Sequence, residues 1–163
     1  MTAIDEFLAN NERYVAGFDK GDLAMPPMKQ IAVVACMDAR LETGGLLGLA
    51  EGDAHVIRDA GGVVTDDVIR SLTISQRLLG TREIMLIHHT DCGMLTFTDA
   101  ELKNQVLADA GFRPPFSFEA FSDLEADVRQ SIARIKASPY IPHRDAVRGF
   151  VYQVETGRLV EVD

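Results

Sequence analysis

The fold is decided by the segment IAVVACMDAR, residues 31–40. Its first part, Ile31–Cys36, is a continuous apolar run without polar alternation, which predicts a strand buried on both faces. A second apolar run, IMLI, lies inside Glu83–His89 and predicts another strand of the same kind. Polar residues follow both strands, and ligands bind outside the carboxyl ends of parallel strands. The two strand ends are therefore the places to search for chemistry.

The rest of the chain alternates predicted helices with predicted strands. Helix starts are indicated by capping residues placed before apolar residues at helical spacing, which are Thr65, Thr98 with Glu101, and Ser122 with Glu125. Further strands are predicted at Ala54–Arg58, Arg148–Val154 and Leu159–Val162. This alternation predicts an α/β fold, with a mostly parallel sheet of four to five strands flanked by helices.

The length and composition predict one folded domain. The chain has 163 residues, of which 47% are hydrophobic and 25% charged. Domains most often have roughly 100–150 residues, so we expect a single domain over residues 1–163. Within it, apolar residues at helical spacing near the start predict a helical arm over residues 1–28, which packs on the core or on a partner subunit.

Charge and hydropathy exclude several classes of partner. Sixteen basic residues against 25 acidic residues give a net charge of −9, which disfavours nucleic acid and an anionic membrane surface. The longest apolar run, Ile31–Met37, is far shorter than the roughly 20 residues of a membrane-spanning helix. The start of the chain lacks the pattern of a signal peptide. We therefore expect a cytoplasmic protein with reduced thiols.

Three potential metal ligands follow the two buried strands. Cys36 ends the first strand, His89 ends the other, and Cys92 comes three positions later. If these strands are neighbours, about 5 Å apart, the three side chains converge, and two cysteines with one histidine are a known catalytic zinc set. Taken singly, each has a structural interpretation, because free cysteine is often a buried space filler. His88 faces away from His89 and is expected to have a core or interface role.

The two loop sequences together resemble the β-class carbonic anhydrases. They read CMDAR from Cys36 to Arg40 and HTDCG from His89 to Gly93. The likeness runs from about residue 31 to residue 154 and looks strongest toward the compact, mycobacterial-like members. The resemblance implies a zinc lyase that hydrates carbon dioxide reversibly to bicarbonate and a proton. It also implies one Zn²⁺ per chain and a homodimer or a dimer of dimers.

The resemblance also implies a role for each site residue. Zinc would be held by Cys36, His89 and Cys92. Arg40 would hold Asp38 by a bidentate ion pair, and this catalytic dyad would orient the zinc-bound hydroxide that attacks carbon dioxide. In closed forms of some family members the aspartate takes the fourth zinc position, so Asp38 is also a candidate ligand.

Glycines near the site are the candidates for substrate binding. Gly62 and Gly93 would let backbone N–H groups approach a bound anion, although each could equally be a turn residue. The segment from Arg58 to Gly62 reads RDAGG where the family commonly has RNAGN, so Asp59 adds a charge near the site. Arg58 itself is expected to pair with a buried carboxylate, for which Asp53 is the candidate.

Other functions remain open on sequence grounds. The same zinc ligands would serve a hydrolase of carbonyl sulfide or carbon disulfide. A nucleotide-binding domain is disfavoured because no glycine follows the first strand before Gly44. A non-catalytic thiol protein is disfavoured because the chain has no C-x-x-C pair. The phenylalanine-rich segment Phe112–Phe121 is either an interface or lid, or a loop pinned to the core.

The ligand charges predict the direction of the pH dependence. Two thiolates cancel the charge of Zn²⁺, so the metal should acidify water less than it does with three neutral histidines. We expect the rate of carbon dioxide hydration, measured by stopped flow, to rise toward alkaline pH. A flat profile from mildly acidic to alkaline pH would contradict this expectation.

Overall fold

The computed structural model describes residues 2–163 and centres on one five-stranded sheet. The strands are β1 (Ile31–Cys36), β2 (Ala54–Asp59), β3 (Glu83–His89), β4 (Val147–Gln153) and β5 (Arg158–Val162). Their order across the sheet is β2-β1-β3-β4-β5, and only β5 runs antiparallel to its neighbour. The predicted α/β class with a mostly parallel sheet is confirmed, and β1 and β3 have the predicted bounds.

Within residues 2–163, five α-helices connect and cover the strands. They are α1 (Ala3–Val15), α2 (Thr43–Leu47), α3 (Asp66–Arg77), α4 (Asp99–Ala110) and α5 (Leu124–Ala137). Short 3₁₀ turns at Ala60–Gly62 and Gly93–Leu95 follow β2 and β3. The predicted caps of α3 and α4 are confirmed, since Thr65 accepts a hydrogen bond from the Val68 N–H and Thr98 forms a capping box with Glu101.

The predicted cap of α5 is wrong by one residue. Asp123, rather than Ser122, precedes the helix and accepts a hydrogen bond from the Ala126 N–H. The segment contains both S-x-x-E and D-x-x-A, and both serine and aspartate are strong N-cap residues. The aspartate carboxylate is the group that reaches the free backbone donors, which moves the start of the helix by one position.

The core lies on both faces of β1 and β3, as expected for strands without polar alternation. On one face, Val34 and Leu86 pack with Leu72 of α3 and Ile135 of α5, and all four are fully buried. A second cluster on the other face includes Val33, Ile87, Leu41 and Met94. Burial of a Leu or Val side chain contributes about 1.5–3 kcal/mol, so these two layers fix the position of the strands.

The sheet order brings the candidate ligands to one edge. Ala35 of β1 pairs with Ile87 of β3, so the two strands end within two residues of this pair, at Cys36 and at His89. The other neighbour of β1 is β2, and Cys36 pairs with Asp59 at its end. The carboxyl ends of β2, β1 and β3 therefore lie side by side at this edge of the sheet, which is where Cys36 and His89 are found.

The N-terminal segment has an apolar face that this chain leaves exposed. None of the residues of α1 is buried, and Phe7 and Leu8 are 65% and 63% exposed. Met1, the first residue of the predicted spans 1–28 and 1–163, lies outside the described residues. Within residues 2–163, no helix combines the length and apolar character needed to cross a membrane.

Candidate metal centre

Three buried side chains converge at the end of the sheet. The thiols of Cys36 and Cys92 and a ring nitrogen of His89 all lie within 4.8 Å of one another. Cys36 is the last residue of β1, His89 is the last residue of β3, and Cys92 lies in the turn after β3. The convergence predicted from adjacent strand ends is confirmed, and the cluster is able to hold a metal ion.

The hydrogen bonds of His89 leave one ring nitrogen available as a ligand. Its Nδ1 lies 2.8 Å from the Thr90 carbonyl oxygen, which only accepts, so Nδ1 carries the proton. Its Nε2 is buried and has no hydrogen-bond partner among the described residues. A buried polar atom without a partner is costly, and a metal ligated by Nε2, with Nδ1–H fixed by a carbonyl, is the usual arrangement of metal-bound histidine. The site therefore fits zinc.

The two thiols influence each other's ionisation. A hydrogen bond from Cys92 lowers the pKa of the Cys36 thiol to about 4, against the opposing effect of burial. The pKa of Cys92 is raised, because its proton is shared with the Cys36 thiolate and because the thiol is buried. The lowered pKa of Cys36 favours its thiolate, which is the form of cysteine that binds metals.

The side chains of Asp38 and Arg40 form the expected bidentate pair. The Arg40 Nε and Nη2 groups donate to Asp38 Oδ1 and Oδ2, each over 2.9 Å. These hydrogen bonds hold the pKa of Asp38 well below its usual range. Asp38 Oδ2 also lies 3.7 Å from His89 Nε2. An ionised carboxylate therefore stands beside the ligand cluster.

Arg58 has partners other than the predicted carboxylate. Its Nε donates to the Cys36 carbonyl oxygen over 2.6 Å, and its Nη2 donates to that of Asp38 over 2.9 Å. Asp53, the expected partner, instead accepts a hydrogen bond from the Ala50 N–H. The expectation of an Arg58–Asp53 pair is wrong, because the arginine binds the main chain of the neighbouring loop. Arg58 thereby fixes the backbone on either side of Met37.

Sequence reasoning also missed Asp91. Its carboxylate accepts a hydrogen bond from Arg40 Nη1 over 2.8 Å, and its carbonyl oxygen accepts one from Arg40 Nη2 over 3.0 Å. The one available signal was an acidic residue between two candidate ligands, and that signal does not identify a partner 51 residues away. The contact depends on how two loops fold toward each other.

A small apolar cavity opens beside the ligand cluster. Its volume is about 330 Å³, and besides the ligands its lining includes Met37, Ala60, Met94 and Phe97. A larger cavity of about 590 Å³ lies between residues 95–101 and 117–122 and contains none of the three ligands. The smaller cavity is therefore the one that serves the metal cluster.

The two candidate glycines differ in their surroundings. Gly93 lines the cavity, and a Cβ atom at this position would meet nothing within 4 Å. Gly62 has φ +70°, and a Cβ atom there would lie 2.9 Å from the Ile87 carbonyl oxygen and 3.0 Å from the Cys36 nitrogen. Glycine at position 62 is thus required by close backbone packing. Substrate binding stays a prediction for both residues.

A second acidic group lies behind the cluster. Both carboxylate oxygens of Asp59 are buried without a hydrogen-bond partner among the described residues. Burial, and then the neighbouring Cys36 thiolate, raise the pKa of Asp59 to about 7. An aspartate at the position where the resembling family commonly has asparagine is therefore destabilising when it is ionised.

The sheet and the buried thiol–imidazole cluster define an α/β zinc enzyme, and comparisons with known proteins name its family. A family model described as carbonic anhydrase matches residues 31–112. Beta-carbonic anhydrase 1 of Mycobacterium tuberculosis is 60% identical over 162 residues, which cover 99% of each chain. The chain belongs to the β-carbonic anhydrase family, and it is a zinc lyase of that family.

Two further comparisons describe the range of relatives. The crystal structure of carbonic anhydrase from Streptococcus mutans has a TM-score of 0.93 and 47% identity, and the match covers 100% of this chain and 99% of that one. Carbon disulfide hydrolase of Saccharolobus solfataricus is 34% identical, over 96% of this chain and 87% of its own. The same scaffold therefore occurs in proteins named for two substrates.

Replacement of Asp59 by asparagine tests the buried carboxyl. Because folding raises the pKa of Asp59 from 3.8 to about 7, the folded state loses stability as pH rises between these values, and the loss is complete above pH about 7. We expect Asp59→Asn to raise the Tm of protein freed of metal by a chelator, with a gain that grows from pH 5.5 to pH 7 and levels off above pH 8.

The same difference in the pKa of Asp59 between the unfolded and folded states sets the size of the Tm gain and the choice of the control variant. For a chain of this length about 1 kcal/mol corresponds to 2–4 °C, so a gain of several degrees at pH 8 is expected. Replacement of the exposed Asp109 by asparagine is the matched control and should give no such pH-dependent gain. A Tm difference that is independent of pH would contradict the assignment of a strained carboxyl at position 59.

Proposed function

We propose that this enzyme hydrates carbon dioxide reversibly to bicarbonate and a proton, with zinc held by Cys36, His89 and Cys92. The observation that carries the proposal is the unpartnered His89 Nε2 between two thiols, beside an ionised Asp38 and an apolar cavity. When bound there, zinc lowers the pKa of water and supplies a nucleophile near neutral pH. Three protein ligands leave the fourth tetrahedral position free.

Asp38 and Arg40 would act as the catalytic dyad. Arg40 keeps Asp38 ionised, and an ionised carboxylate only accepts hydrogen bonds. Asp38 can therefore accept a hydrogen bond from the attacking oxygen and direct its lone pair toward the substrate carbon. With Oδ2 already 3.7 Å from His89 Nε2, the same carboxylate is our candidate for the fourth ligand in a closed form of the site.

The cavity suits an uncharged triatomic substrate. Its lining is mainly apolar, with Met37, Met94 and Phe97 around the ligands, so it places carbon dioxide against the site without competing hydrogen bonds. We assign Gly93 and Gly62 to the substrate side. Gly93 lines the cavity directly, and Gly62 follows the lining residue Gly61. At Gly93, the lack of a Cβ atom would let backbone groups approach the bicarbonate that forms.

Hydrolysis of carbon disulfide or carbonyl sulfide is the second candidate. It is favoured by the 34% identical carbon disulfide hydrolase and by the apolar cavity, which suits these substrates equally well. The 60% identical relative is named as a β-carbonic anhydrase, so carbon dioxide is the first choice. Parallel assays of one zinc-loaded preparation with the three substrates decide between them.

We propose that residues 1–28 form an arm that packs on a second copy of this chain in a homodimer, or in a dimer of dimers. The apolar face of α1 is exposed in this chain, as is Met25, at 80%. Exposed apolar patches of this kind usually mark an interface. Phe112 and Phe116, which are 81% and 59% exposed, make the segment Phe112–Phe121 a further candidate for the same contact.

We also propose that the enzyme works in the cytoplasm. The support is chemical, because both cysteines are free thiols and both are required as thiolates by the metal site. Reduced thiols persist in the cytosol and are oxidised in secretory compartments. The net charge of −9 supports a small-molecule substrate and argues against nucleic acid or a membrane surface as partner.

Removal of the Asp38 carboxylate tests the catalytic assignment. Asp38→Ala should keep one zinc per chain, because the three ligands are unchanged, and should lower kcat for carbon dioxide hydration by about 100-fold or more, the usual loss when a general acid–base or orienting group is removed. Stopped-flow assays on protein of measured zinc content provide the readout. Asp109→Ala serves as the exposed control, and a near-normal rate in Asp38→Ala would overturn the role of Asp38.

A charge on the apolar face of α1 tests the assembly. The wild-type protein should have about twice the chain mass of 17.9 kDa or a multiple of it by sedimentation equilibrium, and Phe7→Glu should shift it toward the monomer because burying an unpaired charge is costly. Leu78→Glu, at a residue that is 75% exposed beyond the end of α3, is the control. A monomeric wild type, or a dimer unaffected by Phe7→Glu, would contradict this assignment.

A further inference from the structure

Arg40 joins the two loops that carry the metal ligands. It lies four residues after Cys36, in the loop that follows β1, and its Nη1 donates over 2.8 Å to Oδ2 of Asp91. Asp91 lies between His89 and Cys92, in the loop that follows β3. Its carbonyl oxygen is 3.0 Å from Arg40 Nη2 and accepts a second hydrogen bond. The guanidinium therefore connects the Asp38 side of the site to the other ligand loop.

The two carboxylates bind different edges of one planar group. Asp38 takes Nε and Nη2, and Asp91 takes Nη1. Since the guanidinium is rigid and planar, contacts at two edges fix both its position and the direction of its fork. The Arg40 side chain is 48% exposed, so water competes for its donors. A second carboxylate therefore helps to hold the guanidinium in one orientation.

The backbone of Asp91 is arranged for this contact. Its φ is +52°, in the left-handed region where aspartate and asparagine are the best tolerated residues with a side chain. In this conformation the carbonyl and the carboxylate of one residue both reach the same guanidinium. The Asp91 side chain is 75% exposed, and exposed ion pairs contribute little to stability. The contact between Asp91 and Arg40 is therefore better explained by the orientation that it gives the guanidinium than by a contribution to the free energy of unfolding.

We infer that Asp91 is a positioning residue of the dyad, which acts through Arg40 to hold the Asp38 carboxylate toward the metal cluster. The inference rests on the proposed role of Asp38 and Arg40. What matters is an acceptor for Arg40 Nη1, since this hydrogen bond sets the rotation of the guanidinium and hence the place of Asp38. The carbonyl contact does not involve the side chain, so a substitution that keeps the backbone conformation of residue 91 tests the side chain alone.

A double-mutant cycle between Asp91 and Arg40 is the main test. Asp91→Ala should lower kcat for carbon dioxide hydration by roughly five- to tenfold, the size expected for one hydrogen bond to a charged group, with little change in KM. In the Arg40→Ala background, Asp91→Ala should cause no further loss. Zinc content should stay at its wild-type value in Asp91→Ala and in Asp91→Gly. Because alanine is strained at this left-handed position, the Tm is compared in Asp91→Gly, where it should stay close to the wild-type value; a purely structural role of the side chain would lower it.

Two further variants distinguish the loss of the hydrogen-bond acceptor at position 91 from strain in the backbone there. Asp91→Asn keeps an acceptor oxygen and tolerates the left-handed conformation, so it should restore most of the rate lost in Asp91→Ala. Asp91→Gly accepts this conformation without strain but has no acceptor, so it should be as slow as Asp91→Ala. A normal rate in Asp91→Gly would assign the effect to backbone strain and overturn the inference.

The matched control is the pair of Glu161 and Arg148. It is also an exposed arginine–carboxylate ion pair, although this one is bidentate, with contacts of 2.6 and 2.5 Å. It joins β5 to β4 near the start of β4. Glu161→Ala should leave kcat unchanged. Because Arg148 pairs with Met85 near the start of β3, this control removes an equivalent interaction at the end of the sheet away from the ligands.

A spectroscopic readout tests the position of Arg40 without turnover. In zinc-loaded protein, the ¹⁵Nε–¹Hε signal of Arg40, assigned through Arg40→Lys, should have the heteronuclear NOE of a rigid group, and Asp91→Ala should reduce it. A full rate in Arg40→Ala would refute the dyad itself. A slow Arg40→Ala enzyme combined with a normal Asp91→Ala enzyme, or an unchanged NOE, would refute the role of Asp91 alone.

Discussion

A buried imidazole nitrogen that no protein group satisfies is the constraint on which this site depends. His89 Nε2 lies among two thiols with no hydrogen-bond partner in residues 2–163, and leaving such an atom unpaired is costly. The fold accepts this cost only where the atom has a ligand to bind. The neighbouring β1 and β3, both buried on two faces, place Cys36 and His89 at adjacent strand ends, and the rest of the site is arranged around that point.

Charged groups of opposite sign surround the cluster of Cys36, His89 and Cys92. Two thiolates would neutralise the charge of a zinc ion bound here, Asp38 adds a negative group beside the cluster, and Arg40 compensates for that charge. Arg58 contributes no side-chain ion pair here but binds the carbonyl oxygens of Cys36 and Asp38, so it fixes the main chain that presents both residues. Asp59 departs from this pattern, because its buried carboxyl lacks a hydrogen-bond partner of good geometry within residues 2–163.

The sequence predicted those parts of the structure that depend on residue type and spacing. The bounds of β1 and β3 could be predicted because unbroken apolar runs indicate strands buried on both faces. The convergence of Cys36, His89 and Cys92 could be predicted because they lie at, or three residues after, the ends of these strands. The contacts of Arg58 and Asp91 could not be predicted, because backbone carbonyls leave no sequence signal and because the path of each loop decides which carboxylate an arginine reaches. The start of α5 was misplaced by one residue for a related reason, since two adjacent residues were both suitable caps.

The central claim is that one zinc ion is bound by two sulfur atoms and one imidazole nitrogen, and X-ray absorption at the zinc edge tests it most directly. On protein with one zinc per chain, the account predicts a first shell of two sulfur atoms at about 2.3 Å, one nitrogen at about 2.0–2.1 Å and one further light atom. A first shell that contains only nitrogen and oxygen, or a purified chain that takes up no stoichiometric zinc, would contradict it.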